Sequence, residues 1–190
     1  MWRNFMLLTM RVFTLLLLTV LAAQAKEQTM PDIVLVHGAF TDGSSWSAVI
    51  VRLQAMGYHV TAVQNPLTSL QDDVNATRAV IARQHGPVLL VGHSWAGAVI
   101  SEAGNDPRVK GLVYLSALVP DSHESVADLL TRLHAPMTGL SADEHGLIWL
   151  DDSVLFHKVM ANDLSRQRAQ LLAAAQQPIA ARAFTDTLTH

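Results

Sequence analysis

Val88-Leu89-Leu90-Val91-Gly92-His93-Ser94-Trp95-Ala96-Gly97 is the stretch whose reading decides the fold. Its first four residues form an unbroken aliphatic run, the pattern of a strand buried on both faces, and a helical segment follows Gly97. A serine held on a sharp strand-to-helix turn has its hydroxyl pushed out of the top edge of a sheet. That turn is so tight that the flanking positions must be small. Gly92, Ala96 and Gly97 meet the demand, with Ala96 standing where the G-x-S-x-G pattern has its second glycine. A serine that merely caps a helix is the plainer alternative. The strand before Ser94 and the helix after it favour the elbow.

Working outward, Ile33–Val36, Tyr58–Val63 and Leu112–Leu115 read as further strands. Between the first two, Trp46, Val49, Ile50 and Leu53 fall at i, i+3, i+4 and i+7. They mark a helix capped by Ser44 or Ser45 and closed by Gly57. Leu70, Val74, Thr77 and Ile81 repeat the helical spacing before Val88. The order β-α-β-α-β-α-β implies an α/β fold, a mostly parallel sheet with flanking helices. Beyond Val119-Pro120-Asp121 no β-rich run appears, so the carboxyl third is expected to be all helical. Val126, Leu129, Leu130 and Leu133 mark one helix there, and Leu164, Leu171, Leu172 and Ala175 another. Such a block is either an insertion over the carboxyl edge of the sheet, where ligands bind in these folds, or plain packing helices. The expected organisation is residues 1–25 as a signal peptide, 26–121 as the α/β core and 122–190 as a helical cap region.

His37-Gly38-Ala39-Phe40, at the end of the first strand, is a second constellation. A tetrahedral oxyanion needs two backbone N–H donors, one from the residue after the nucleophile and one from the loop after this strand. Those are the amides of Trp95 and Ala39. His37 and His93 are each fixed in a turn beside the backbone and read as structural. Gly38 to Gly43 followed by Ser44 and Ser45 has phosphate-loop spacing, but Ser44 stands where the lysine is needed. Asp151-Asp152 with His157 forms no tight metal-ligand cluster, so no metal is expected.

Half of the 190 residues are hydrophobic and 15% are charged, which argues against disorder, a charged coiled coil or a nucleic-acid tail. The absence of cysteine excludes disulfides, thiolate metal sites and a cysteine nucleophile. Arg11 precedes an apolar run from Val12 to Leu21, and Ala23-Gln24-Ala25 offers small residues where a signal peptidase reads, so cleavage is expected after Ala25. An apolar core of ten residues is short against the roughly 20 needed to span a bilayer. The expected location is secreted or periplasmic, with no stable membrane insertion after cleavage. Without residues 1–25 the chain holds eleven basic and sixteen acidic residues, a net charge of −5, which gives no reason to seek nucleic acid.

The runs Ile33–Phe40 with Trp46, and Val91–Gly97, resemble the α/β-hydrolase fold superfamily. They are most similar to the small carboxylesterase branch that also holds plant methyl-ester esterases and hydroxynitrile lyases. The resemblance covers about Asp32 to Asp121 well and the helical remainder more loosely. It implies Ser94 as nucleophile, the Ala39 and Trp95 amides as oxyanion donors, and no metal or organic cofactor. A serine is a weak nucleophile without a base, and this fold supplies its partners in the order Ser, Asp or Glu, His. In the family both follow further strands after the cap, and nothing strand-like follows here, so acid and base are expected beyond residue 190. Within the chain Asp121 is the substitute acid, with His123, His134, His145, His157 or His190 as conceivable bases; no spacing selects one. The implied activity is carboxylic ester hydrolysis. Alternatives are an inactive fragment or binding module, and a hydroxynitrile lyase-like enzyme, which needs a cap lysine that only Lys158 could supply. Leu129, Leu130, Leu133, Met137, Leu147, Trp149, Leu155, Phe156 and Met160 offer an apolar lid with Arg132 and Lys158 as its main cations. That composition points to small uncharged esters as substrate partners.

Overall fold

The computed structural model describes residues 30–135, 137 and 139–189. The segment read as a signal peptide and His190 lie outside the described residues. Four parallel strands, β1 (Asp32–Val36), β2 (Val60–Ala62), β3 (Val88–His93) and β4 (Val109–Leu115), form a sheet in the order β2-β1-β3-β4. Helix α1 (Ser47–Ala55) follows a 3-10 turn over Gly43–Trp46. Helices α2 (Leu70–Ala82) and α3 (Ala96–Ala103) join the later strands. Because side chains alternate along a strand, Val34 and Val36 of β1 face the cluster containing Val74 and Ile81 of α2 and Val99 and Ile100 of α3. Ile33 and Leu35 face Trp46, Ile50 and Leu53. Val34, Val36 and Leu90 are fully buried, each worth about 1.5–3 kcal/mol of apolar transfer.

The helical spacing read at Leu70, Val74, Thr77 and Ile81 is the buried face of α2. The first helix starts later than Ser44 or Ser45 would place it. The Asp42 side chain accepts from the Ser44 amide and caps the 3-10 turn instead, while Gly57 closes α1 at φ +90°.

The chain steps from β1 outward to β2 and then crosses back over β1 to β3. The switch in direction therefore falls between β1 and β3, and the crevice outside their carboxyl ends is where such sheets bind ligands. His37-Gly38 leaves β1 and His93-Ser94 leaves β3 at that point.

The carboxyl third holds α4 (Val126–Arg132), α5 (Ser153–Met160) and α6 (Arg166–Ala175). It is not all helical: β5 (Leu147–Ile148) and β6 (Ile179–Ala180) pair antiparallel. Two-residue strands carry no period that sequence can show; long-range pairing with burial of Ile148 and Ile179 creates them. The expected face of α6 is also rotated. Leu171 is 57% exposed, and Ala169 and Ala173 are the residues buried on that helix.

After β6 the chain returns to the core. The Ala180 amide donates to the Leu67 carbonyl (2.9 Å), the Leu70 amide at the start of α2 donates to Asp186 Oδ2 (2.9 Å), and Ala183, Phe184 and Leu188 are buried. Among the described residues no helix is long and apolar enough to cross a membrane.

Candidate active site

Gly92 is the register partner of Val36 at the end of the β1–β3 ladder. Two residues on, Ser94 adopts φ +54°, a left-handed conformation that a non-glycine residue holds only when its surroundings impose it. The imposing contacts are local. The Ser94 carbonyl accepts from the Gly97 amide (2.9 Å) and from the Leu118 amide (2.9 Å), and its own amide reaches the Leu115 carbonyl at 3.4 Å. A Cβ on Gly92 would stand 2.8 Å from the Ala96 carbonyl oxygen, and one on Gly97 would stand 2.2 Å from the Leu118 carbonyl oxygen. Both glycines are thus required by backbone packing, while Ala96 is fully buried and fits with its methyl group.

The loop after β1 lies against this turn: a Cβ on Gly38 would meet the Ser94 Cβ and the His93 carbonyl oxygen, each at 3.0 Å. Among the described residues, the amides of Ala39 and Trp95 donate to no acceptor. Two N–H groups flanking a half-buried serine and left without partners are the geometry that stabilises a developing oxyanion.

His37 is buried and cannot serve as a base. Its Nε2 accepts from the Asn65 amide (2.9 Å), so the proton sits on Nδ1 and is donated to the Gly38 carbonyl (2.8 Å). Burial holds its pKa below the ordinary histidine value. His93, edge-on to Trp46 at 6.4 Å, is likewise shifted down by burial.

Among the described residues none of the other candidates is hydrogen-bonded to Ser94. The Asp121 side chain is 85% exposed and lies 3.4 Å from Arg132, which also pairs with Glu124 at 2.7 Å. His123 and His145 are exposed. The ring of His157 meets the Leu164 carbonyl at 3.1 Å. His134 lies at a cavity described below. Asp152 caps α5, accepting from the amides of Val154 and Leu155, and no cluster of three potential metal ligands occurs among the described residues. Lys158 is exposed in the last turn of α5.

Sequence reading missed Asp73. This fully buried carboxylate accepts from the Trp95 indole Nε1 (2.7 Å) and from the Leu67 amide (2.8 Å). Burial pushes its pKa up to about 6 against the pull of those two hydrogen bonds. The Trp95 ring also stands edge-on to Phe184 at 5.3 Å. Phe184 in turn lines a cavity of about 380 Å³ together with Ala127, Leu130, Thr131, His134 and Met137. Of the apolar lid residues named from sequence, Leu130 and Met137 line it, whereas Leu129 and Phe156 are buried in the protein and Leu133 and Trp149 are exposed.

A parallel sheet covered by helices on both faces, with a left-handed serine on the tight strand-to-helix turn at its switch point, defines the class as an open α/β fold. Residues 33–190 match the model of the alpha/beta hydrolase family, and the chain belongs to that family. It is 38% identical to a pyrethroid hydrolase of Sphingobium wenxiniae over 104 residues, 48% of this chain and 37% of that one. It is 29% identical to a carbendazim hydrolyzing esterase of a Nocardioides species over 121 residues, 56% of this chain and 50% of that one. The matched segments thus span half or less of these two relatives' lengths. Among solved structures, a pyrethroid hydrolase superposes with a TM-score of 0.69 at 22% identity, covering 85% of this chain and 73% of that one. Polyneuridine aldehyde esterase superposes with a TM-score of 0.68 at 18% identity, covering 84% and 73%. These likenesses establish the fold.

Proposed function

We propose that the protein is a serine hydrolase of carboxylic esters that works through an acyl-enzyme at Ser94. The observation that carries this is the strained Ser94 at φ +54° beside the unpartnered Ala39 and Trp95 amides. The kinship with proteins named as a pyrethroid hydrolase and a carbendazim esterase supports ester chemistry. Ser94 Oγ attacks the ester carbonyl carbon as a base takes its proton, and the negative charge that forms on the carbonyl oxygen is held by the two amides. The C–O bond to the alcohol breaks, the alcohol leaves with that proton, and water then attacks the acyl carbon to release the acid and restore Ser94. On this reading the base is a histidine oriented by an Asp or Glu, as the family resemblance implies. The substrate is small and uncharged: the cavity beside Phe184 is lined mostly by apolar groups, with Thr131 and His134 as its polar lining and no lysine or arginine there to pair a carboxylate or phosphate. Export rests on the sequence pattern of residues 1–25.

The test is hydrolysis of neutral nitrophenyl esters by the full-length gene product and by Ser94→Ala. Loss of the serine is expected to lower kcat by about 10⁵–10⁶-fold. Turnover in Ser94→Ala equal to wild type would refute the reading.

A further inference from the structure

Asp73 sits in the first turn of α2 between Asp72, which is hydrogen-bonded to Thr68 and Ser69, and Val74, which packs into the core. A carboxylate in a first helical turn ordinarily needs no explanation, since it favours the positive end of the helix dipole from the surface. Asp73 is different because it is fully buried, and both of its oxygens are used. Oδ1 accepts from the amide of Leu67, itself at φ +57° in the loop before α2, and Oδ2 accepts from the Trp95 indole. One carboxylate therefore ties the β2–α2 loop to the residue that follows the serine. The same loop holds the other side of the site, because the Asn65 amide donates to His37 Nε2 and the Asn65 side chain donates to the His37 carbonyl (3.0 Å).

We infer that Asp73 is a positioning residue for ester hydrolysis: by holding the Trp95 indole it fixes the Trp95 backbone amide in the direction an oxyanion needs. This rests on the reading of Ser94 as nucleophile. The ionised carboxylate offers an acceptor oxygen to each donor with no proton of its own between them, and its charge strengthens both hydrogen bonds. An asparagine has one acceptor oxygen, and its NH₂ would confront either the indole or the Leu67 amide. The ionisable groups around Asp73 are Asp72 on its own helix, Arg182 at 3.8 Å from Asp72, and Asp186, which accepts from the Leu70 amide. Burial keeps the Asp73 carboxyl above the usual carboxylate range, so the fold holds this charge against its solvation preference. The second contact on the indole, Phe184, limits the ring from the cavity side but supplies no acceptor.

The test compares the full-length protein with Asp73→Asn, Trp95→Phe, the double variant and Ser94→Ala, using p-nitrophenyl acetate near pH 8 with thermal melting alongside. A mispositioned oxyanion donor weakens transition-state binding rather than substrate binding, so kcat is expected to fall about 10- to 100-fold in each single variant with KM nearly unchanged. Because both variants break the same link, the double variant should lose no more than the worse single one. Trp95→Phe keeps the backbone amide and removes the tethered N–H together with part of a buried ring, so its melting temperature is read beside its kcat, and it serves as the second variant if Asp73→Asn folds poorly. Wild-type turnover no faster than Ser94→Ala would overturn both this inference and the esterase reading. If Ser94→Ala is inactive while the Asp73 and Trp95 variants keep kcat within about twofold of wild type, or lose it multiplicatively, the esterase reading stands and the positioning role falls.

Discussion

Asp73 also has a signature in stability that needs no substrate. Its pKa stands at about 6 in the folded protein against 3.8 for a free side chain, so between those values the folded state binds more protons than the unfolded one. Stability from this group is fully present below about pH 4 and is lost as pH rises through about 6, a change of about 3 kcal/mol. Carboxylates held low by hydrogen bonds, such as Asp128 beside Ser125, have the opposite sign and act at more acid pH. The stability difference between wild type and Asp73→Asn, measured by urea denaturation at pH 4 and pH 7, is expected to move by that amount in favour of the asparagine at the higher pH. A constant difference would show that Asp73 titrates as an ordinary surface acid. The tight turn at Gly92, Ser94 and Gly97 was legible in the sequence because its small residues form one contiguous pattern between a strand and a helix, although Leu115 and Leu118, which complete it, lie far along the chain. Asp73 was not: it meets Trp95 across 22 residues of chain, and beside Asp72 it looks like any first-turn acid.

At the scale of elements, α4 shows how strongly a helix start is determined by its cap. Ser125 is buried. Its Oγ accepts from the Asp128 amide (3.1 Å), while the Asp128 carboxylate accepts from the Ser125 amide (3.0 Å), a reciprocal box that satisfies two otherwise orphaned donors. The same end of the helix is bridged to Thr187, and the Leu188 amide donates to the Glu124 carbonyl (3.1 Å), so the returning chain depends on it. Ser125→Ala is expected to cost about 1–2 kcal/mol, read as a lower urea midpoint with unchanged slope. No loss would mean that the box is redundant with packing of Val126 and Leu129. The helices read from sequence were those with large apolar residues in period, above all α2. Helix α5 was missed because Asp152, which caps it, was weighed only as a metal ligand. In α6, Leu171 drew attention although the packed face is Ala169 and Ala173, whose small size marks close approach rather than apolar volume. The pairing of β5 with β6 joins residues more than thirty apart and has no local signal at all.

On the scale of the whole molecule, the sheet is unevenly covered. Strand β4 ends the order β2-β1-β3-β4, so among the described residues its seven-residue backbone is paired only on the β3 side. Near its carboxyl end Tyr114 is 38% exposed, Leu115 42% and Val119 40%, whereas Lys110 is the one charged side chain within the strand. The opposite edge, β2, is only three residues long and far less able to template another strand. An apolar edge of this length with a single gatekeeping lysine pairs readily with another chain. A polypeptide of residues 26–190 is therefore expected to self-associate through β4, giving a concentration-dependent mass in sedimentation. Leu115→Lys, which places a second charge on an exposed position of that strand and leaves the fully buried core untouched, should raise the monomer fraction. If instead residues 26–190 sediment as a monomer at all concentrations and melt cooperatively, the β4 edge is protected, and the exposed Tyr114, Leu115 and Val119 are ordinary surface.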